Sequence, residues 1–187
     1  MMIISDKYKL IFITTPKCGS HTGFTLMKRY FEARETSFNH SRQIPSKYKH
    51  YHKFTFVRNP YERFCALYHA CVVNDRKPFV PKNVHTPLDY ARFYATLTKH
   101  NSYPRADLTA SQSFWHKGLP INEFIHIEDA EKILKERYPH IEKFPHVLKR
   151  EHPTWKDIKT PEITIYVNFW AGKDFELLGY KCEDSDS

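Results

Sequence analysis

Cysteine and glycine are scarce in this chain, with four cysteines (Cys18, Cys65, Cys71, Cys182) and five glycines among 187 residues. The cysteines show no CxxC spacing and are too few for a stapled scaffold, so neither a zinc site nor a disulfide framework is indicated and thiols are expected. Long hydrophobic runs are lacking too. No stretch approaches the roughly 18 consecutive apolar residues of a membrane span, and the opening MMIISDKYKL is too short and too charged for a secretion signal. A cytoplasmic protein with no membrane partner is therefore expected. Repeats and low-complexity tracts are missing, which excludes solenoids and arrays.

What is present is a composition 41% hydrophobic and 16% aromatic, enough for one domain with a substantial core and too little for two ordinary ones. We expect a single domain over residues 1–181, followed by a disordered acidic tail over 182–187 (CEDSDS). Lysine and arginine total 29 against 21 acidic residues, a formal charge of +8, with 12 histidines besides. Such an excess points to an anionic partner, and a nucleotide, a polyanionic glycan and RNA all qualify on charge alone.

The hydrophobic pattern alternates strands with helices. Lys9 to Thr14 (KLIFIT) reads as a buried strand, and Phe24, Met27 and Phe31 follow at helical spacing. Lys53 to Val57 (KFTFV) is a second strand. Tyr61, Phe64, Cys65, Tyr68, Cys71 and Val72 then make a helical stripe, with Asn59 as N-cap, Pro60 at the first helical position and Glu62 in a capping-box arrangement. Residues 74–86 read as a long loop and Pro87 to Leu97 as a helix. Glu123 to Ile127 is a third strand, and Glu128, at the start of the helix that runs to Tyr138, reads as a structural carboxylate at its N-terminal end. Thr160 to Trp170 carries a helix-start signal and β-branched residues together, and we take it as a helix. The alternation predicts an α/β domain with a mainly parallel central sheet flanked by helices.

Two segments stand where strands give way to helices. In Thr14-Thr15-Pro16-Lys17-Cys18-Gly19-Ser20-His21-Thr22, a helix start offers backbone N–H groups and the positive end of the helix dipole. Gly19 allows close approach, Ser20 and Thr22 add hydroxyls and Lys17 adds a charge, so the segment suits a phosphate; it reads equally as a plain turn capped by Ser20. It is not a Walker A loop, because GxxxxGK[ST] is absent. In Phe56-Val57-Arg58-Asn59-Pro60-Tyr61-Glu62-Arg63, Arg58 stands at the C-terminal end of a strand, where an open α/β sheet has its ligand crevice, although a solvated surface arginine fits the same residues.

Together the two segments resemble the sulfotransferase family, the carbohydrate sulfotransferases in particular. PKCGSHT looks like the family's P-loop-like 5′-phosphosulfate loop, and VRNPYER followed by ALY looks like its 3′-phosphate-binding strand and helix. Asn39-His40-Ser41, Phe124 to Glu128, and Gly172 to Tyr180 (GKDFELLGY) extend the resemblance over most of the chain. It implies a PAPS-dependent sulfotransferase: an enzyme moving a sulfuryl group from 3′-phosphoadenosine 5′-phosphosulfate to an acceptor hydroxyl, on a carbohydrate or other small hydroxylated substrate, by in-line displacement. Neither a metal nor a nucleic-acid partner is implied.

The resemblance also implies roles. Lys17 would stabilise charge on the leaving 5′-phosphate, the N–H groups of Cys18, Gly19, Ser20, His21 and Thr22 would hold that phosphate, and Arg58 would bind the 3′-phosphate. His40 would be the general base, with His21 next in line. One position departs from the family pattern: Ala66 stands where a serine usually donates to the 3′-phosphate, and Lys149 and Arg150 are the candidates to replace it. Acceptor selection falls to the loops at 74–86 and 99–116, where Tyr103, Arg105, Trp115 and His116 mix aromatic and basic chemistry. A non-catalytic nucleotide- or RNA-binding relative, favoured by Ala66, and an ATP-dependent P-loop-like phosphotransferase are the alternatives; retention of Lys17 and the absent Walker A order count against them.

Overall fold

A computed structural model describes residues 2–36, 44–74, 79–99, 110–146 and 153–184. Within what the sequence read as one domain, the chain divides into two compact units, Met1–Arg58 with His116–Arg150, and Asn59–Trp115 with Glu151–Ser187.

The first unit holds the sheet. Strands β1 (Met2–Ser5), β2 (Leu10–Ile13), β3 (Arg34–Glu35), β4 (His52–Val57) and β5 (Glu123–His126) lie in the order β3-β1-β2-β4-β5. β2, β4 and β5 are parallel, as their separation by helices requires, but β1 pairs antiparallel with both β2 and β3. The sheet is thus mixed, and the expectation of a mainly parallel sheet holds for three strands only. The cause is a hairpin the sequence reading passed over. Its turn is the charged run Asp6 to Lys9, in which Lys9 takes a positive φ of 54°, and the Asp6 carboxylate accepts from the Tyr51 hydroxyl at 2.8 Å and from Arg34. Those bonds, Tyr51 first, hold the Asp6 carboxyl below its ordinary value.

Side chains alternate across β1 and β2. Ile3, Leu10 and Phe12 join Phe54, Phe56 and Ile125 on one face, against Leu26 and Met27 of helix α1 (Ser20–Tyr30), Phe31 at its C-cap, and Ala130 and Leu134 of a later helix, numbered α5 below (Ala130–Arg137). Met2, Ile4, Ile11 and Ile13 face the other way, onto Tyr48 and Tyr51. Gly23 lets α1 lie directly on Phe12, because a Cβ there would fall 2.1 Å from the ring. The α5 helix starts at Ala130 with Asp129, not Glu128, at its N-cap position.

The second unit is helical: α2 (Pro60–Tyr68), continued by a π-helical turn at His69–Val73, then α3 (Pro87–Lys99), α4 (Gln112–His116, whose last residue belongs to the first unit), α6 (Trp155–Ile158) and α7 (Pro161–Leu178). The apolar stripe read along α2 is buried throughout, down to Cys71 and Val72. The Asn59 side chain caps α2 by accepting from the Tyr61 N–H at 2.9 Å. Glu62, expected in a capping box, accepts from the Trp155 N–H at 3.1 Å, which ties α6 to α2. Thr160 caps α7, and its 18 residues override the β-branched run Ile163-Thr164-Ile165, because Ile163 and Thr164 bury their side chains on the helix's inner side. Part of the expected acidic tail is ordered. Glu183 accepts from the Trp155 indole at 3.1 Å and pairs with Lys159 at 2.8 Å, while its N–H donates to the Tyr61 hydroxyl at 2.7 Å; 185–187 lie outside the described residues. No helix among the described residues is long and apolar enough to cross a membrane.

Candidate functional site

β2 and β4 pair in parallel with Ile13 opposite Thr55, and β4 and β5 with Val57 opposite His126, so three strands end along one edge of the sheet. Thr14 to Thr22 leaves β2 at that edge and Arg58 follows β4. The register therefore brings Lys17, Cys18, Gly19, Ser20, His21, Thr22 and Arg58 to the same side of the first unit. His40 lies outside the described residues, as do Tyr103, Arg105, Lys149 and Arg150. Ala66 is buried in α2.

The loop is a tight construction. The Cys18 N–H donates to the Thr15 carbonyl at 3.2 Å, closing a turn with Pro16 second and Lys17 third. Lys17 has a φ of 64° and Gly19 one of 78°. Pro at the second position and positive φ at the third are the marks of a type II turn, whose third position normally holds glycine. A lysine there costs on the order of 1 kcal/mol in backbone strain. The Ser20 hydroxyl donates back to the Thr15 carbonyl at 2.9 Å, and the Cys18 thiol to the Pro16 carbonyl at 3.6 Å.

These bonds correct two details of the expected anion site. Ser20 is the first residue of α1 and Gly19 its N-cap, so the Ser20 hydroxyl holds the loop together. The Cys18 N–H is committed to the turn. The first helical bond of α1 runs from the Gly23 N–H to the Gly19 carbonyl at 2.9 Å, so the N–H groups of Ser20, His21 and Thr22 stand ahead of it, at the positive end of the helix. No acidic residue occupies that first turn. His21 is exposed, Lys17 and Arg58 are half-buried, and Thr22 is buried.

The model of the sulfotransferase family matches residues 1–152. The chain belongs to that family. No curated protein and no solved structure matches it. The matched span takes in both strand-to-helix segments and ends before Gly172–Tyr180. In that last stretch Asp174, fully buried, accepts from the backbone N–H groups of Gln112 at 2.8 Å and Ser113 at 2.6 Å, a helix-capping role for α4.

Two groups of this region were misread or missed in the sequence. His116, assigned to an acceptor-selecting loop, is buried in the first unit, its Nε2 2.8 Å from the Thr15 hydroxyl and its ring 5.1 Å from that of Phe124. The Thr15 hydroxyl is also 3.2 Å from that of Thr55 on β4. Partners 101 and 40 residues apart leave no local signal; the parallel pairing of β2 with β4 was the only available hint for Thr55.

Proposed function

We propose that this sulfotransferase uses PAPS as donor and transfers its sulfuryl group to a hydroxyl of a carbohydrate or other small hydroxylated acceptor. The observation that carries the reading is Lys17 in a left-handed conformation within a loop that ends on a helix with no acidic residue in its first turn. Glycine would hold that backbone at lower cost, and the strained position places an ammonium beside the helix start. The same point favours an enzyme over a relative that only binds nucleotide.

Bound at this edge, PAPS supplies an activated sulfuryl group whose leaving group is a phosphate. The N–H groups of Ser20, His21 and Thr22 hold that phosphate, and Lys17 neutralises the charge it gains as its bond to sulfur breaks. Arg58, at the end of the neighbouring strand, takes the 3′-phosphate with its planar fork. The acceptor oxygen bonds to sulfur from the opposite side and gives up its proton to His40. Thermal-shift measurements with 3′,5′-ADP, magnesium ATP and 5′-AMP test the reading. It expects 3′,5′-ADP to raise the melting temperature most, and equal or greater stabilisation by ATP overturns it.

A further inference from the structure

We propose that His116 is a positioning residue of the phosphosulfate loop, acting through Thr15. The inference deepens the donor reading above and rests on it.

Thr15 is the point on which the loop is pinned. Its carbonyl accepts both the Cys18 N–H and the Ser20 hydroxyl, the two bonds that close the turn and fasten it to α1. Whatever fixes Thr15 therefore fixes the place of Lys17 and of the N–H groups that follow. The hydroxyl of Thr15 is held from two sides, by His116 at 2.8 Å and by Thr55 at 3.2 Å, in a pocket where Thr15 and Thr55 are essentially without solvent.

Proton counting gives the chain a direction. The Thr55 hydroxyl donates to the Phe56 carbonyl at 3.3 Å, which uses its one proton. Between the two threonines Thr15 must then be the donor, which uses its proton as well. His116 Nε2 is left to donate to Thr15, so the sequence of bonds runs from the imidazole N–H through two hydroxyls to a carbonyl on β4. Donors and acceptors alternate along it without a break, the arrangement in which buried hydroxyls are held most firmly. The work of this run of bonds is to keep the loop from shifting relative to the sheet edge.

The test is calorimetric titration of 3′,5′-ADP and of adenosine 3′-monophosphate, which lacks the 5′-phosphate, into the wild-type protein and four variants. His116→Phe keeps the ring against Phe124 and removes the donor. His116→Gln replaces the ring and restores an N–H at the reach of Nε2. Thr15→Val is isosteric, and the double variant joins it to His116→Phe. We expect His116→Phe and Thr15→Val each to weaken 3′,5′-ADP by about three- to tenfold, the value of one lost hydrogen bond. Adenosine 3′-monophosphate should bind all forms alike, His116→Gln should bind both ligands as the wild type does, and the double variant should lose no more than either single one. Unchanged 3′,5′-ADP binding in His116→Phe, or equal weakening of both ligands, overturns the proposal. If His116→Phe does not fold, the same two outcomes in Thr15→Val decide. A wild-type protein that binds both ligands alike overturns the donor reading, and this inference with it.

Discussion

Gly19 lies so close to Ile127 that a Cβ on it would fall 2.7 Å from the Ile127 Cδ1 atom, and its φ of 78° is one that L side chains rarely adopt. Gly23, one turn into α1, is closer still to its neighbour, 2.1 Å from the ring of Phe12. The two contacts differ in kind. Ile127 can turn its terminal methyl aside, whereas Phe12 is wholly buried under α1 and has nowhere to go.

Alanine at the two glycines should separate folding from binding. At Gly19 the main cost is the backbone, about 1–2 kcal/mol, and the strained turn should displace the N–H groups at the helix start. At Gly23 the helix must lift off the sheet, which costs about 3 kcal/mol or more. Thermal melts should therefore rank Gly23→Ala below Gly19→Ala, while Gly19→Ala shows the larger loss of 3′,5′-ADP affinity among the molecules that remain folded. The reverse ranking in melting temperature would mean that α1 can shift without cost.

Lys17 allows a sharper comparison. Lys17→Gly and Lys17→Ala both remove the ammonium and should both abolish most turnover if, as proposed, the charge acts chiefly in the transition state. Their stabilities should differ, the glycine variant being more stable than the alanine variant by about 1 kcal/mol, since only glycine relieves the positive φ. Near wild-type turnover in either variant removes Lys17 from the mechanism.

His40→Ala should lower kcat by about a hundredfold or more and leave 3′,5′-ADP affinity unchanged, as expected for a general base. A loss confined to donor affinity would move the base role to His21, which stands exposed in the first turn of α1.

The strands that carry the loop and Arg58, and the helix starts, were legible because their signals are local: the short apolar runs in KLIFIT and KFTFV, the Asn59-Pro60 start of α2, the Thr160-Pro161 start of α7. The β1 hairpin was not, since four apolar residues followed by Ser5, Asp6 and Lys7 look like a charged terminus until a partner strand is known. The same limit explains His116. Its histidine reads as one of 12 in a basic chain, and only the fold brings it to Thr15. Ser20 was seen as a helix-start residue, but the direction in which its hydroxyl donates depends on the turn made by Pro16 and Lys17.

Asp174 should behave as a structural carboxylate. Alanine there leaves the Gln112 and Ser113 N–H groups without their acceptors, and Gln112 is fully buried. The loss should be about 2–4 kcal/mol, a fall in melting temperature of about 5–15 °C for a chain of this size. Asp174→Asn keeps one carbonyl oxygen and should lose roughly half as much. A melting temperature unchanged in Asp174→Ala would show that α4 is capped in another way.

The last prediction is a pH dependence. Glu123, at the start of β5, accepts from both Arg137 Nη atoms at 2.6 and 2.7 Å, and its Oε2 lies 2.9 Å from His52 Nε2. Arg137 first, then His52, hold its carboxyl below the ordinary glutamate value of 4.5, against a partial burial that would raise it. A carboxyl lowered in the folded state binds protons more readily when unfolded. The stability it contributes is therefore complete above the unfolded value and disappears as pH falls through the folded one. Glu123→Gln should accordingly melt below the wild type at pH 7, by about 2–4 °C for a two-pronged pair contributing about 1 kcal/mol at a partly exposed site. That gap should persist down to about pH 5 and close below 4.5 as the wild-type carboxylate takes up its proton. Melting curves of both proteins across that range give the answer directly, and a gap that persists undiminished below the folded value would assign the effect of the substitution to packing rather than to charge.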